Sequence, residues 1–255
     1  MLVLVGLSTL PVGAVNVNNF TITDFEIKLE LGRDGEQRST LQTTETIKAE
    51  FPNFDQNRGI ERAIPKEYDG HSTSLEITSV KKADGSDWNY TTYDDDLGNT
   101  IVRIGDADVY VRGMQTYIIS YTQRDVTRYF EDTNQQEFYW DTNGTGWLVP
   151  IELLSVELTV DPTLSATLTG DTACYQGIAG SGTRCELKAT GNTFATEAQQ
   201  LTAGENVTIA VGFAPETFAE YVPTLFEKII GYWAVLQSLV TPIAVGLAVW
   251  LVARY

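Results

Sequence analysis

Phe25-Glu26-Ile27-Lys28-Leu29-Glu30-Leu31 is the stretch that sets the expected fold. Apolar and charged side chains alternate strictly along these seven residues. Successive side chains of a β-strand point to opposite faces, so a period of two predicts a strand with one buried face.

The same period of two recurs along the chain, although at 41–51 polar residues interrupt the apolar positions. It predicts further strands at 41–51, 75–77, 101–104, 117–121, 154–160 and 207–213. Turn-forming clusters separate these runs, at 32–35, 84–87, 94–99 and 143–144. No amphipathic helix longer than two turns is predicted before residue 215. We therefore predict an all-β domain over residues 15–221, an antiparallel β-sandwich of immunoglobulin-like general architecture.

Residues 229–253 contain no charged side chain and predict a C-terminal transmembrane α-helix. At about 1.5 Å per residue this run reaches roughly 37 Å, enough to cross a hydrocarbon core of about 30 Å with some tilt. The alternative is a buried core helix, which the length and the apolar character on all sides disfavour. Residues 222–228 are then a short juxtamembrane linker.

Residues 1–14 resemble the end of a secretory signal peptide, with cleavage expected after Ala14. They depart from that pattern because no Lys or Arg precedes the apolar part, and a first core strand is the alternative. If the segment directs export, residues 15–228 lie outside the cytoplasm and Arg254 lies inside. The lipid bilayer is then the first expected partner, through residues 229–253.

The chain carries a formal net charge of −17. So acidic a surface opposes binding to nucleic acid and to anionic lipid, and it favours solubility. Cys174 and Cys185 bracket a glycine-rich loop, and in an exported segment the simplest expectation is a disulfide. Free thiols and a metal site are the alternatives, although two thiols and one distant histidine do not fill a zinc shell.

Catalytic motifs are scarce, and we expect no catalytic residue, cofactor or metal. The single histidine, His71, lies in a polar stretch, and neither G-x-S-x-G nor H-E-x-x-H occurs. A spatial Ser-His-Asp arrangement stays open. Asp94–Asp96, or Asp106 with Asp108, could bind calcium, but acidic turns are the more common explanation.

Two groups of residues are candidates for binding. Trp140 and Trp147 could stack on carbohydrate, although aromatic residues in such a fold more often form its core. Arg58, Glu61 and Arg62 form the second group, in which the arginines could hold an external carboxylate or phosphate. The alternative is that the arginines pair with carboxylates of the domain itself and fix a loop to it.

Several spaced motifs together resemble a bacterial family of predicted membrane proteins, catalogued as domain of unknown function 2207. The matching residues are 57–65, 117–121, Glu137–Trp140, Gly144, Trp147, 149–151, Cys174-Tyr175, Gly177, Gly180-Ser181, Cys185 and 209–213. The resemblance implies an exported N-terminal domain, then transmembrane helices and, in many members, a cytoplasmic glycine-rich tail. Because the chain ends at Tyr255, directly after one span, we expect a truncated member. The family assigns no activity, so no catalytic residue is carried over.

We therefore expect a membrane-anchored extracytoplasmic protein that acts as a non-enzymatic binding or structural module of the cell envelope. Its expected partner is an envelope glycan or another membrane protein. The alternative is an envelope enzyme such as a carboxylate-dependent glycan hydrolase. Glu137, beside Phe138 and Trp140, is the best candidate for the desolvated general acid that such an enzyme needs.

Overall fold

The structure, a computed structural model, describes residues 16–223 and Arg254. The signal-like segment 1–14 and the predicted span 229–253 lie outside these residues. Among the described residues, no helix is long and apolar enough to cross a bilayer.

The chain divides into two compact units, Met1–Ala219 and Glu220–Tyr255. The first contains every strand of the described residues, which confirms the all-β prediction. In chain order they are β1 (Thr21–Arg33), β2 (Ser39–Phe51), β3 (Gly59–Pro65), β4 (Glu67–Tyr68), β5 (His71–Ser72), β6 (Glu76–Lys81), β7 (Tyr90–Asp94), β8 (Asn99–Gly105), β9 (Gly113–Arg124), β10 (Arg128–Phe130), β11 (Gln135–Asp141), β12 (Ile151–Val160), β13 (Leu168–Gly177), β14 (Lys188–Thr190), β15 (Thr193–Leu201) and β16 (Asn206–Phe213). A 3-10 helix, Pro162–Thr167, connects β12 and β13.

The largest sheet has seven strands in the order β14-β15-β12-β1-β2-β9-β6. Phe25, Ile27, Leu29 and Leu31 on β1 are all buried, as their alternation predicts. On β2 the alternate positions from Ser39 to Phe51 are buried in the same way. One face of this sheet is therefore its core face.

The prediction of a purely antiparallel arrangement is wrong, because β1 and β12 run parallel. Their register places Phe25 beside Leu154 and Leu31 beside Val160. Alternation reports which face of a strand is buried but not the direction in which its neighbour runs. The large sheet is therefore mixed.

Two smaller sheets contribute to the same hydrophobic cluster as the large one. One has the order β10-β11-β16-β13 and the other the order β3-β8-β7, while β4 and β5 form a separate pair. Cys174 on β13 lies 3.5 Å from the hydroxyl of Thr196 on the large sheet, and Arg62 on β3 bonds to Glu45 on β2. Both small sheets thus make contact with the core face of the large sheet.

Strand β16 departs from the expectation of one buried face per strand, since all eight of its residues are buried. The segment after it folds back, so the ring of Phe218 lies 5.1 Å from that of Phe213. Gln136 fixes this return by accepting a hydrogen bond from the amide of Phe218 and donating one to its carbonyl. Both faces of β16 are therefore covered, which explains why residues 207–213 are almost all apolar.

The same returning segment ends at the turn between β1 and β2. Arg33 donates a hydrogen bond of 2.9 Å to the carbonyl of Thr217. The amide of Ala219 donates one of 2.8 Å to the carbonyl of Gln37. The last residue of the unit is therefore held at the end of β1 opposite to Thr21.

The predicted disulfide between Cys174 and Cys185 is confirmed. Cys174 is buried in the hydrophobic cluster, and Cys185 packs against that cluster from the side. The amide of Cys185 also donates to the carbonyl of Cys174, so the bridge and a backbone bond close the same loop.

We expect the double substitution Cys174→Ser, Cys185→Ser to lower the free energy of unfolding by about 3 kcal/mol, the value for a loop of this size. Chemical unfolding followed by tryptophan fluorescence measures the change. As a control, a reducing agent should destabilise the wild-type protein and leave the double variant unaffected. Equal stability of wild type and variant would contradict the expectation.

Candidate functional site

A cleft of about 510 Å³ opens beside the residues that precede β1. Residues from four separate segments line it, within 17–20, 56–61, 103–107 and 146–149. Three residues that the sequence predicts for binding are among them, namely Arg58, Glu61 and Trp147. The cleft is therefore the candidate binding site.

Arg58 lies at the rim of this cleft, on the turn that leads into β3. Asn57, which is buried, fixes the turn by donating from its side chain to the carbonyl of Val17 and by accepting at its own carbonyl from the amide of Val111. The Arg58 guanidinium stacks on Tyr110, 4.2 Å from the ring centroid, and donates to its hydroxyl at 2.8 Å. Among the described residues no carboxylate forms an ion pair with Arg58. Most of its donors therefore remain available to a ligand.

Glu61 lies on the exposed side of β3, where it is part of a three-residue polar group. Its carboxylate accepts a hydrogen bond of 2.6 Å from Arg103 on β8 and one of 3.2 Å from the hydroxyl of Tyr93 on β7. The Arg103 guanidinium also lies 5.0 Å from the centroid of the Tyr93 ring. The two charges neutralise each other at the cleft wall.

Arg62 points the other way, into the core, with 2% of its side chain exposed. It forms two parallel hydrogen bonds to Glu45, of 2.8 and 2.7 Å, and a third to the carbonyl of Ala63. Tyr121 donates its hydroxyl to the same carboxylate at 2.8 Å. Burial alone would lower the pKa of Arg62, but the charge and hydrogen bonds of Glu45 outweigh it and hold that pKa above its ordinary value. Arg62 therefore has the structural role that the sequence offered as the alternative.

The two candidate tryptophans are both mainly core residues. Trp140 stacks on Phe138 at 5.6 Å between ring centroids and lies 5.5 Å from Tyr68, and it does not line the cleft. Trp147 is 4% exposed and packs edge-on against Phe25. Its indole N–H has no acceptor among the described residues, although one face of the residue lines the cleft. The N–H nitrogen itself is buried, so a ligand in the open cleft does not reach it.

The sequence does not predict a place in the binding site for several other residues of the cleft lining. Gly59 and Gly105 face each other across β3 and β8, with φ of +140° and +143°. A Cβ on Gly59 would lie 1.8 Å from the carbonyl oxygen of Ile104, so only glycine fits there. Leu148 has 68% of its surface exposed. Trp147, Leu148 and Val149 are all apolar, as in a buried strand, although only Trp147 and Val149 are buried. The sequence therefore does not indicate that Leu148 is exposed.

Of the carboxylates considered for catalysis or calcium, Asp106 lines the cleft, where it accepts hydrogen bonds from the side chain of Asn89 and the amide of Asp108, and the others lie outside the lining. Glu137 is half-buried on β11 and does not line the cleft; burial, then the charges of Asp132 and Asp171, raise its pKa. Asp94 pairs with Lys66 at 2.7 Å, and Asp95 accepts hydrogen bonds from the amides of its own hairpin turn.

The described residues thus define an all-β domain with an open cleft at one end, backed by a buried ion pair. The chain belongs to a family of predicted membrane proteins: residues 21–213 match the model described as "Predicted membrane protein (DUF2207) N-terminal domain". The resemblance found in the sequence is confirmed.

The solved structures to which the chain shows similarity include a hydrolase and a zinc metallopeptidase. Native leukotriene A4 hydrolase from Saccharomyces cerevisiae is 14% identical, with 77% of this chain and 30% of that chain covered and a TM-score of 0.47. The M1 zinc metallopeptidase from Deinococcus radiodurans is 9% identical, with 76% and 42% covered and a TM-score of 0.40. The chain therefore spans less than half the length of these structures. No functionally curated protein sequence matches it.

Arg62→Ala should destabilise the protein by about 3–5 kcal/mol, because it leaves the Glu45 carboxylate buried without a counter-charge. Arg58→Ala is the matched control, because Arg58 is also an arginine but its side chain is exposed. This substitution should change stability by no more than about 0.5 kcal/mol. Chemical unfolding of both variants measures the difference. An Arg62→Ala protein that unfolds at the same denaturant concentration as wild type would contradict the assignment.

Proposed function

We propose that the protein is a membrane-anchored, extracytoplasmic binding module of the bacterial cell envelope, and that the cleft between 17–20, 56–61, 103–107 and 146–149 holds its ligand. The observation that carries the proposal is the guanidinium of Arg58 at the rim of this cleft, which has no carboxylate partner among the described residues. Arg58 retains N–H groups for an acceptor, and Leu148 contributes exposed apolar surface to the same cleft.

The ligand is therefore rich in acceptor oxygens and partly apolar. A carboxylate would suit Arg58, since a guanidinium forms bidentate hydrogen bonds with it. An envelope glycan and a segment of another membrane protein both offer such groups. Glu137, the general-acid candidate of the glycan-hydrolase alternative, lies outside the lining of this cleft, and the two carboxylates that line it, Glu61 and Asp106, both accept hydrogen bonds within the domain.

The position of the cleft in the domain also supports a role in binding. The cleft lies beside the first residues of β1, whereas Ala219 is held at the turn that follows β1. β1 has 13 residues, so these two places are roughly 40 Å apart along the strand. The cleft and Ala219 therefore lie at opposite ends of β1.

The family description as a predicted membrane protein supports the anchor. We propose that residues 229–253 cross the bilayer once, after the linker 222–228, with residues 15–228 outside the cytoplasm and Arg254 inside. The disulfide fits this assignment, because disulfides persist mainly in oxidising compartments.

Binding is tested with the full chain in lipid nanodiscs, incubated with fragmented cell envelopes of the source bacterium. Arg58→Ala should retain roughly tenfold less material, because it removes a charge-assisted contact. Arg128→Ala is the matched control, since its guanidinium also stacks 4.2 Å from an aromatic centroid, that of Phe130, but away from the cleft. Equal retention by Arg58→Ala and wild type would refute the role of the cleft.

Topology is tested on intact cells that carry the full chain with a tag after Tyr255. External protease should digest the domain and leave the tag protected, because the bilayer separates them. Loss of the tag with the domain intact would reverse the orientation, and protease added to lysed cells controls for the accessibility of the tag.

A further inference from the structure

Strand β3 is an edge strand, since its sheet has the order β3-β8-β7. Backbone bonds just outside the strands show which residues face which neighbour. The amide of Lys66 donates to the carbonyl of Gly98, so even-numbered residues of β3 bond to β8. The amide of Gly105 donates to Asn89, so odd-numbered residues of β8 bond to β7 instead. The N–H and C=O groups of the odd-numbered residues of β3 therefore point away from the sheet.

Half of this free edge is already occupied. The carbonyl of Ala63 accepts from Arg62, and that of Pro65 accepts from the side chain of Gln123. Gly146 passes so close that a Cβ on it would lie 3.1 Å from the Cβ of Ala63. The segment that follows Asn143 therefore covers the edge at Ala63.

The other half of the edge, at Gly59 and Glu61, is open to the cleft. Both residues line the cleft, and no side chain among the described residues bonds to their backbone groups. Leu148 lines the same cleft, further along the segment that covers Ala63. The cleft is thus a groove with an unpaired strand edge on one side and apolar side chains on the other.

We propose that this groove binds an extended peptide of a partner protein, which adds to β3 as a further strand at Gly59–Glu61. This inference rests on the proposed function and specifies its ligand. Main-chain hydrogen bonds to an exposed edge supply affinity in this mode of recognition, and pockets for alternate side chains supply selectivity. One face of the peptide packs on Leu148 and Trp147, and a peptide carboxylate pairs with Arg58.

The test uses the full chain in nanodiscs and a phage-displayed random octapeptide library. Enriched sequences are synthesised with a fluorescent label, and their binding is measured by anisotropy. Glu61→Pro removes the edge amide and should weaken binding about tenfold or more. Glu61→Ala removes the same carboxylate but keeps the amide, so Glu61→Pro should bind about tenfold or more weakly than Glu61→Ala. Thr92→Pro, at an outward-facing and exposed position of the opposite edge strand β7, is the matched proline control and should bind like wild type.

A second measurement does not depend on the folding of any variant. The enriched peptide is resynthesised in two forms, one with N-methyl groups on its odd-numbered amides and one with them on its even-numbered amides. Alternate amides point to opposite edges of a strand, so only one of the two forms loses the amides that face β3. One methylated form should lose binding to wild-type protein and the other should keep it. Equal binding of both forms, equal binding to Glu61→Pro and wild type, or failure to enrich any peptide would overturn the proposal.

The envelope experiment separates failure of this inference from failure of the proposed function. If no peptide binds but wild-type protein retains protease-treated envelope material and Arg58→Ala does not, the cleft binds a glycan and the strand-addition proposal is wrong. If wild-type protein retains no envelope material and no peptide, both proposals are wrong.

Discussion

One pair of opposite charges in the core, Glu45 on β2 and Arg62 on β3, determines where the three-stranded sheet lies on the large one. Both side chains are almost fully buried, and the loss of hydration of two charges is expensive. The cost is offset because two parallel hydrogen bonds join them, while Tyr121 and the carbonyl of Ala63 satisfy further groups. Any shift of β3 would break this set together. The edge of β3, and with it the cleft, is therefore held in one position.

Much of the fold is visible in the sequence because burial on one face leaves a period of two. That period identifies β1, β2, β9 and β12, and it even places Glu45 on the inward side, between Thr43 and Ile47. The partner of Glu45 is invisible, because it lies on another sheet. The sequence also groups Arg58 with Arg62, four residues apart, as if on one surface. Arg58 precedes β3, and the unusual backbone of Gly59 breaks the alternation, so the two arginines lie in different environments.

The cleft itself could be predicted only in part. Three of its residues are among the binding candidates that the sequence offers, but the four segments that form it are distant along the chain. Their meeting depends on strand order, which alternation does not encode, and on the parallel neighbour of β1. Trp147 illustrates the difficulty. The sequence offers both a binding and a core role for it, and whether part of a buried tryptophan reaches the cleft depends on how separate segments pack.

The parallel pairing of β1 with β12 has a consequence for how the chain folds. Ile22 pairs with Ile151, so one side of the first strand stays unpaired until a strand made much later arrives. The hairpin of β1 and β2 can form early because its contacts are local, but closing the sheet requires a long loop to be ordered first. Until then an apolar strand exposes its edge to other chains, a condition that promotes aggregation. Slow synthesis of the chain between β2 and β12 would therefore lengthen the time for which the edge of β1 is exposed.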